Sequence, residues 1–335
     1  MTLRVGVIGT GMMGADHIGR LSTIIANAQV VAVSDVDTEQ AKRVAEGAGG
    51  ARVHGDGHDL IADSEVDAVL IASPGFTHAE YTIAGIQAGK QVFCEKPLAP
   101  TGDECLRVLE AEQAAGRRLV QVGFMRRYDA GYQGLKQVVE AGEVGTPLMV
   151  HCRHRNATVP ESYTTFMGPT DSAVHEIDVT RWLLGQEIVA VTILAPRRTA
   201  NAFPHLQDPQ FFLFETDQGV LIDVELFVNC QYGYDVRCEV VGETGAAELA
   251  VPAAVPVKAG GREALAIPPD WRGRFKTAYD TEVQLWVDGV RAGEVTGPSA
   301  WDGYATTVIA ETCVKALEAG HRLEVELIDK PSFYG

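Results

Sequence analysis

Short apolar runs alternate with amphipathic stretches along the first part of the chain. Residues 4–8, 30–35, 68–72, 91–94 and 119–122 read as buried strands bounded by turn residues. Between them, residues 14–26, 38–47, 78–88 and 102–116 space their apolar positions as helices do. That alternation predicts a parallel, doubly wound sheet. The texture changes after residue 123. A helix over 130–141 leads through Gly145-Thr146-Pro147 to a strand at 148–154, and a helix follows at 171–184. Residues 188–195, 210–217, 220–229, 233–242 and 245–250 then alternate in and out as strands, with hairpin signals at Asp217-Gln218-Gly219 and Gly242-Glu243-Thr244-Gly245. Residues 256–275 read as irregular, and helices at 277–292 and 301–319 close the pattern. The reading is an α/β plus α+β chain in two domains, 1–123 and 124–335, the second built on an open antiparallel sheet with helices on one face. The other face of that sheet needs a cover, which points to a homo-oligomer packed sheet to sheet.

Composition narrows the classes. The 335 residues include 28 Lys plus Arg against 45 Asp plus Glu, a formal charge of −17. So acidic a chain is a poor partner for nucleic acid or an anionic membrane. No apolar run approaches the ~18 residues of a membrane span. The chain opens directly on a strand and a glycine turn, with no secretory leader pattern. Its six cysteines form no C-x-x-C pair and read as reduced thiols of a cytoplasmic protein, with no metal site expected.

The first strand runs into Gly9-x-Gly11-x-x-Gly14 and then a helix. Gly9 permits the tight turn, Gly11 the approach of a pyrophosphate, and Gly14 the close packing of helix on strand. The helix N-terminus then offers free N–H groups to phosphate. Asp35 ends the second strand, 26 residues after Gly9, against a usual spacing of about 20. A carboxylate there accepts hydrogen bonds from ribose hydroxyls and repels a 2′-phosphate, which favours NAD over NADP. Ligands of such sheets sit beyond the carboxyl ends of the strands. Ser73-Pro74, Glu95-Lys96-Pro97 and Phe124-Met125-Arg126 each follow such an end and are expected to converge beside the nicotinamide.

In the predicted helix over 171–184, Asp171, His175 and Asp178 stand at i, i+4 and i+7, with His175 and Asp178 each within roughly 40° of Asp171 on a regular α-helix. Three readings compete: a solvated face, a metal site using His175 with Glu176 or Asp178, and general acid–base chemistry. Glu176 points about 100° away from His175, which weighs against the metal. Imidazole suits proton exchange near neutrality, and a neighbouring carboxylate fixes its tautomer. Lys96 is a second chemical candidate, able to stabilise developing alkoxide charge, or else a surface lysine at a strand end. His154 and Asn156 share one strand face, with Arg153 and Arg155 on the other. The Arg126-Arg127 pair reads either as polyol recognition or as salt bridges.

These residues resemble the Gfo/Idh/MocA oxidoreductase family. The resemblance is carried by Gly9-x-Gly11-x-x-Gly14, Glu95-Lys96-Pro97-Leu98-Ala99 and the Asp171…His175 helix, and it covers essentially the whole chain. Val122–Asp129, His151–Asn156, Tyr163-Thr164-Thr165 and His175–Asp178 are most similar to the family's inositol-oxidising members. The resemblance implies NAD-dependent oxidation of a ring hydroxyl of myo-inositol to a ketone, with Lys96, Asp171 and His175 as the catalytic trio. It also implies that Met125, Arg126, His154, Asn156, Tyr234 and Tyr279, with Asp171 and His175, surround the ring. The expected cofactor set is Gly9, Gly11, Met12, Met13, Gly14, Asp35, Ser73, Pro74, Thr77, His78, Glu95 and Lys96. Asp178 is expected to orient Lys96 or His175, and the family assembly is a homotetramer using the open sheet. The rival readings are a dehydrogenase of another cyclitol or sugar, a non-catalytic NAD-binding sensor, and a structural protein using the fold for assembly.

Overall fold

Alternating helices and parallel strands organise the amino-terminal part of a computed structural model, which describes residues 2–250 and 255–335. The chain divides into two units. The first comprises Met1–Phe124, Tyr279–Thr307 and Ile328–Gly335, and the second Met125–Ala278 and Val308–Leu327.

In the first unit, strands β1 (Leu3–Ile8), β2 (Ala28–Ser34), β3 (Arg52–His54), β4 (Ala68–Ile71), β5 (Gln91–Glu95) and β6 (Val120–Gly123) form one sheet in the order β3-β2-β1-β4-β5-β6. Every pairing is parallel. Helices α1 (Met12–Thr23), α2 (Thr38–Gly47), α3 (Gly57–Ala62), α4 (His78–Gln87) and α5 (Gly102–Ala114) connect the strands. Burial on both faces explains the continuous apolar runs, since Val5, Val7, Leu70 and Phe93 are all fully buried. The strand β3 and helix α3 are additional to the sequence reading. Arg52 and Val53 are exposed there, so the edge strand carries no apolar run.

The second unit contains α6 (Ala130–Glu140), β7 (Pro147–Arg155), α7 (Val174–Leu184), β8 (Ile188–Leu194), β9 (Gln210–Thr216), β10 (Leu221–Phe227), β11 (Asp235–Gly242) and β12 (Ala246–Glu248). A small hairpin, β13 (Val257–Ala259) with β14 (Arg262–Ala264), precedes the long helices α8 (Trp271–Ala292) and α9 (Ala300–Ala319) and the last strand β15 (Leu323–Glu324). The large sheet runs β12-β11-β7-β10-β9-β8-β15. It is antiparallel except between β7 and β10, which pair in parallel. One face is buried, with Phe212, Phe214, Ile222 and Val224 inaccessible. The other face is half-exposed and mixes ion pairs such as Arg155–Glu225 with the exposed apolar side chains Met149 and Leu221.

Three boundaries differ from the sequence reading. The expected span 124–335 is interrupted, because Val283, Trp286 and Val287 form an apolar stripe of α8 that joins the first unit's core, with Trp286 edge-on to Phe93. The hairpin at 257–264 and the start of α8 at Trp271 replace part of the irregular stretch. Both hairpin strands are exposed throughout and so show no alternation. The third difference is the helix over 171–184, which is really a π-helical turn, Gly168–Ser172, followed by α7. Pro169 removes a backbone donor at the start of that turn. Gly168 lies so close to the Gln210 amide that a Cβ would stand 2.6 Å from it. Asp171 therefore precedes the α-helix that carries His175, and the regular angular spacing does not apply to it. Among the described residues, no helix is long and apolar enough to cross a membrane.

Candidate active site

Candidate residues fall in both units, and each unit's set is built from its own elements. The phosphate turn joins β1 to α1. Gly9 has φ +94°, and a Cβ there would lie 2.4 Å from the Ser73 backbone. A Cβ on Gly14 would lie 1.9 Å from the Gly9 carbonyl oxygen, whereas one on Gly11 would meet open space. Gly11 is the N-cap of α1, which has no side-chain cap and no acidic residue in its first turn. Exposed Met12 and half-exposed Met13 flank this head. Free N–H groups, a positive dipole end and a backbone cradle together fit a dinucleotide pyrophosphate.

Asp35 stands beside that turn. Its Oδ2 accepts from Thr10 N at 2.6 Å and from the Thr10 hydroxyl at 2.9 Å, while Oδ1 accepts from Asp37 N at 2.9 Å. Burial works against the charge, but the donors from Thr10, Asp37 and Val36 outweigh it and hold the carboxyl below its usual range. Asp35 is therefore ionised and fixed against the glycine turn.

The ends of β4 and β5 are tied together. Ser73 and Thr77 share a hydroxyl–hydroxyl hydrogen bond of 2.6 Å, and the Thr77 hydroxyl also donates to the Pro74 carbonyl. His78, 2% exposed, points Nδ1 at the Pro97 carbonyl (2.6 Å) and Nε2 at the Ser73 carbonyl (2.8 Å). A carbonyl only accepts, so both nitrogens donate and the ring is an imidazolium. Burial opposes this charge, yet the facing Cys94 sulfur and the two carbonyls push the His78 pKa up to about 9. Lys96 and Pro97 are half-buried between these anchors, and Glu95 beneath them is buried.

In the second unit the Arg126-Arg127 pair makes salt bridges to α7. Arg127 chelates Asp178 through Nε at 3.0 Å and Nη2 at 2.5 Å. Arg126 pairs with Glu176, both being 1% exposed. His154 Nδ1 lies 3.0 Å from the second oxygen of Glu176, so Nδ1–H donates and the carboxylate fixes the tautomer. Burial would raise the Glu176 pKa, but the Arg126 charge and His154 hold it below the usual carboxylate range. Tyr234 meets His154 edge-on at 5.8 Å, the His175 ring lies 6.4 Å from His154, and the Arg126 guanidinium is 5.6 Å from the Phe275 ring centre. Asp171 and His175 are half-exposed, Met125 is buried, and Asn156 holds its Oδ1 buried without a protein hydrogen bond.

Arg126, His154, His175 and Tyr234 thus come together as one cluster. Asp178 binds Arg127. Tyr279 lies in the first unit, edge-on to His17 at 5.9 Å and beneath Arg20. Sequence reasoning missed Glu176, weighed only as a metal ligand, and His17. The available signal was a pair of acids at alternate positions, Glu176 and Asp178, matching two adjacent arginines, Arg126 and Arg127.

A model of the oxidoreductase family with an NAD-binding Rossmann fold (Gfo/Idh/MocA) matches residues 3–124, and the model of that family's C-terminal α/β domain matches residues 136–327. Inositol 2-dehydrogenase 3 of Saccharopolyspora erythraea is 57% identical over 335 residues, covering 100% of this chain and 99% of the relative. The crystal structure of myo-inositol dehydrogenase from Lactobacillus casei, in complex with NAD(H) and myo-inositol, superposes with a TM-score of 0.98 at 37% identity, covering 100% of each chain. Scyllo-inositol dehydrogenase from the same organism, with bound NAD(H) and scyllo-inositol, gives 0.89 at 26% identity, covering 97% of this chain and 99% of that one.

Proposed function

The chain belongs to the Gfo/Idh/MocA oxidoreductase family, and on that premise we propose that it oxidises myo-inositol to the 2-ketone with NAD. The whole-chain similarity to an enzyme solved with both myo-inositol and NAD(H) carries this reading. When bound, NAD supplies the hydride acceptor. The residues of this chain do the rest. His175 takes the hydroxyl proton at an imidazole nitrogen, and Asp171 orients and polarises that ring. Lys96 donates a hydrogen bond to the same oxygen and lowers the cost of alkoxide character. The alcohol loses one proton to His175 and one hydride to the cofactor, so the oxidation to ketone balances.

Asn156, with an oxygen buried and lacking a protein donor, is suited to accept from a ring hydroxyl. Arg126, His154 and Tyr234 supply a rigid polar wall, with Met125 and Tyr279 completing the proposed substrate set. A site with fixed donors and acceptors rejects analogues that leave them unpaired, which favours one cyclitol stereoisomer over simple alcohols. The proposed cofactor set is the glycine turn with Met12 and Met13, Asp35, Ser73, Pro74, Thr77, His78, Glu95 and Lys96. We further infer a homotetramer in the cytoplasm. Support comes from the half-exposed sheet face bearing Met149 and Leu221, and from six free cysteines.

The test is the initial rate of NADH formation with myo-inositol, scyllo-inositol, chiro-inositol and glucose, each with NAD and NADP. Turnover of myo-inositol with NAD is the expected result. Preferred turnover of scyllo-inositol or a sugar would keep the chemistry and replace the substrate, and cofactor binding without turnover would favour a sensor.

A further inference from the structure

Glu95 closes β5 at only 5% exposure, a costly place for a carboxylate unless its oxygens are occupied. Oε1 accepts from His17 Nε2 at 2.6 Å, and Oε2 accepts from the Lys96 backbone N–H at 3.1 Å. Opposite on β6 stands Gly123, whose absent side chain leaves room, since a Cβ there would come within 3.1 Å of the carboxyl group. His17 is itself fully buried on α1, with Phe93 and Tyr279 edge-on at 5.6 and 5.9 Å. The helix is pinned one turn further on, where Arg20 pairs with Asp16 and Asp280. Two hydrogen bonds therefore run from α1, through one carboxylate, to the peptide that carries Lys96.

We propose that His17 is a positioning residue that, through Glu95, fixes the Lys96 peptide relative to α1. The head of α1 is the phosphate turn, so the link sets the place of Lys96 relative to the place of the cofactor's phosphates. A small misplacement of a group that acts on the reacting oxygen costs rate out of proportion to its size. The proposal rests on the reading of Lys96 as catalytic.

His17→Leu removes the donor, while His17→Gln can still offer an N–H to Glu95. For His17→Leu we expect kcat for myo-inositol to fall on the order of 10-fold to 100-fold, with the KM for NAD changed by less than about threefold. Hydrogen exchange of the Lys96 amide in the cofactor-free protein should accelerate, while amides of β4 keep their protection. His17→Gln should recover most of both. Equal losses in the two variants, a loss confined to NAD affinity or melting temperature, or unchanged protection at Lys96 would each overturn the proposal. If His17→Leu does not fold, Gly123→Ala presses the same carboxyl from the opposite strand and must deprotect the Lys96 amide. A wild-type protein that fails to oxidise myo-inositol would sink the functional reading alone, because amide exchange tests the link without turnover.

Discussion

The strand ends around Lys96 and the polar cluster around Glu176 solve the same problem in opposite ways. Both must hold ionisable groups in a fixed place, largely out of water. In the first unit the backbone does most of the holding: glycines open the space, carbonyls grip His78, and amide N–H groups grip Asp35. In the second unit side chains hold side chains, with Arg126, Glu176 and His154 buried as one group and Arg127 closed on Asp178. Backbone geometry tolerates the loss of one side chain. A buried charge deprived of its partner does not, because its desolvation is left uncompensated.

The largest expected effect cuts across this contrast. His175→Ala should lower kcat and kcat/KM together, by about 10²- to 10⁴-fold, with little change in stability, as a transition-state role requires. Steady-state kinetics with myo-inositol and urea titrations check both halves. Glu176→Ala comes next and tests the side-chain network directly. It should destabilise by about 3–5 kcal/mol, since it strands the Arg126 charge in the interior. Replacing both partners, Arg126→Met with Glu176→Leu, should restore much of that stability while substrate binding stays impaired. Recovery of neither would mean the pair is not the source of the loss.

His78 tests the backbone side of the contrast. Its folded pKa, about 9, lies above the ordinary imidazole value of 6.5, so its contribution is complete below about pH 6.5 and is lost as pH rises through about 9. Unfolding free energy should fall across that window by on the order of 3 kcal/mol, and His78→Gln should flatten the slope. A wild-type curve with no fall between those values would show that the ring is neutral. The smallest effect lies at an exposed pair of the second unit's sheet. Arg322→Ala breaks the bidentate contact with Glu215 and should leave the unfolding midpoint almost unchanged, because solvent screens so exposed a pair. A large fall in that midpoint, measured by urea unfolding, would mean that charge alone, buried or not, governs this unit.

The same contrast explains what could be read in the chain. Gly9-x-Gly11-x-x-Gly14, Asp35 and Glu95-Lys96-Pro97 are local strings, and the parallel sheet around them was legible except for its exposed edge strand β3. That His154 faces away from Arg153 and Arg155 also followed, from strand alternation; which face is buried did not. The role of Glu176 did not, because its partners Arg126 and His154 come from a short 3-10 turn at Met125–Tyr128 and from β7, 50 and 22 residues away, and nothing local encodes the meeting. His17 was hidden for a similar reason: within α1 it is one polar residue among several, and its meaning lies in Glu95 on a strand 78 residues on. The π-helical turn at Gly168–Ser172 escaped because angular spacing presumes a regular helix, and Pro169 with the close approach of Gly168 to Gln210 of β9 accompanies the departure from one.

The parallel pairing of β7 with β10 has a consequence for how the second unit comes into being. Strand β7 is flanked by β10 on one side and β11 on the other, both of which follow it by two helical or sheet elements and more. During synthesis β7 leaves the ribosome with both edges bare. The β8–β9–β10 meander pairs locally and in sequence order, so the expected order is that it forms first and β7 is recruited to it afterwards. Until then the strand bearing His154 is an open edge, the segment of this chain most in need of protection from other copies of itself.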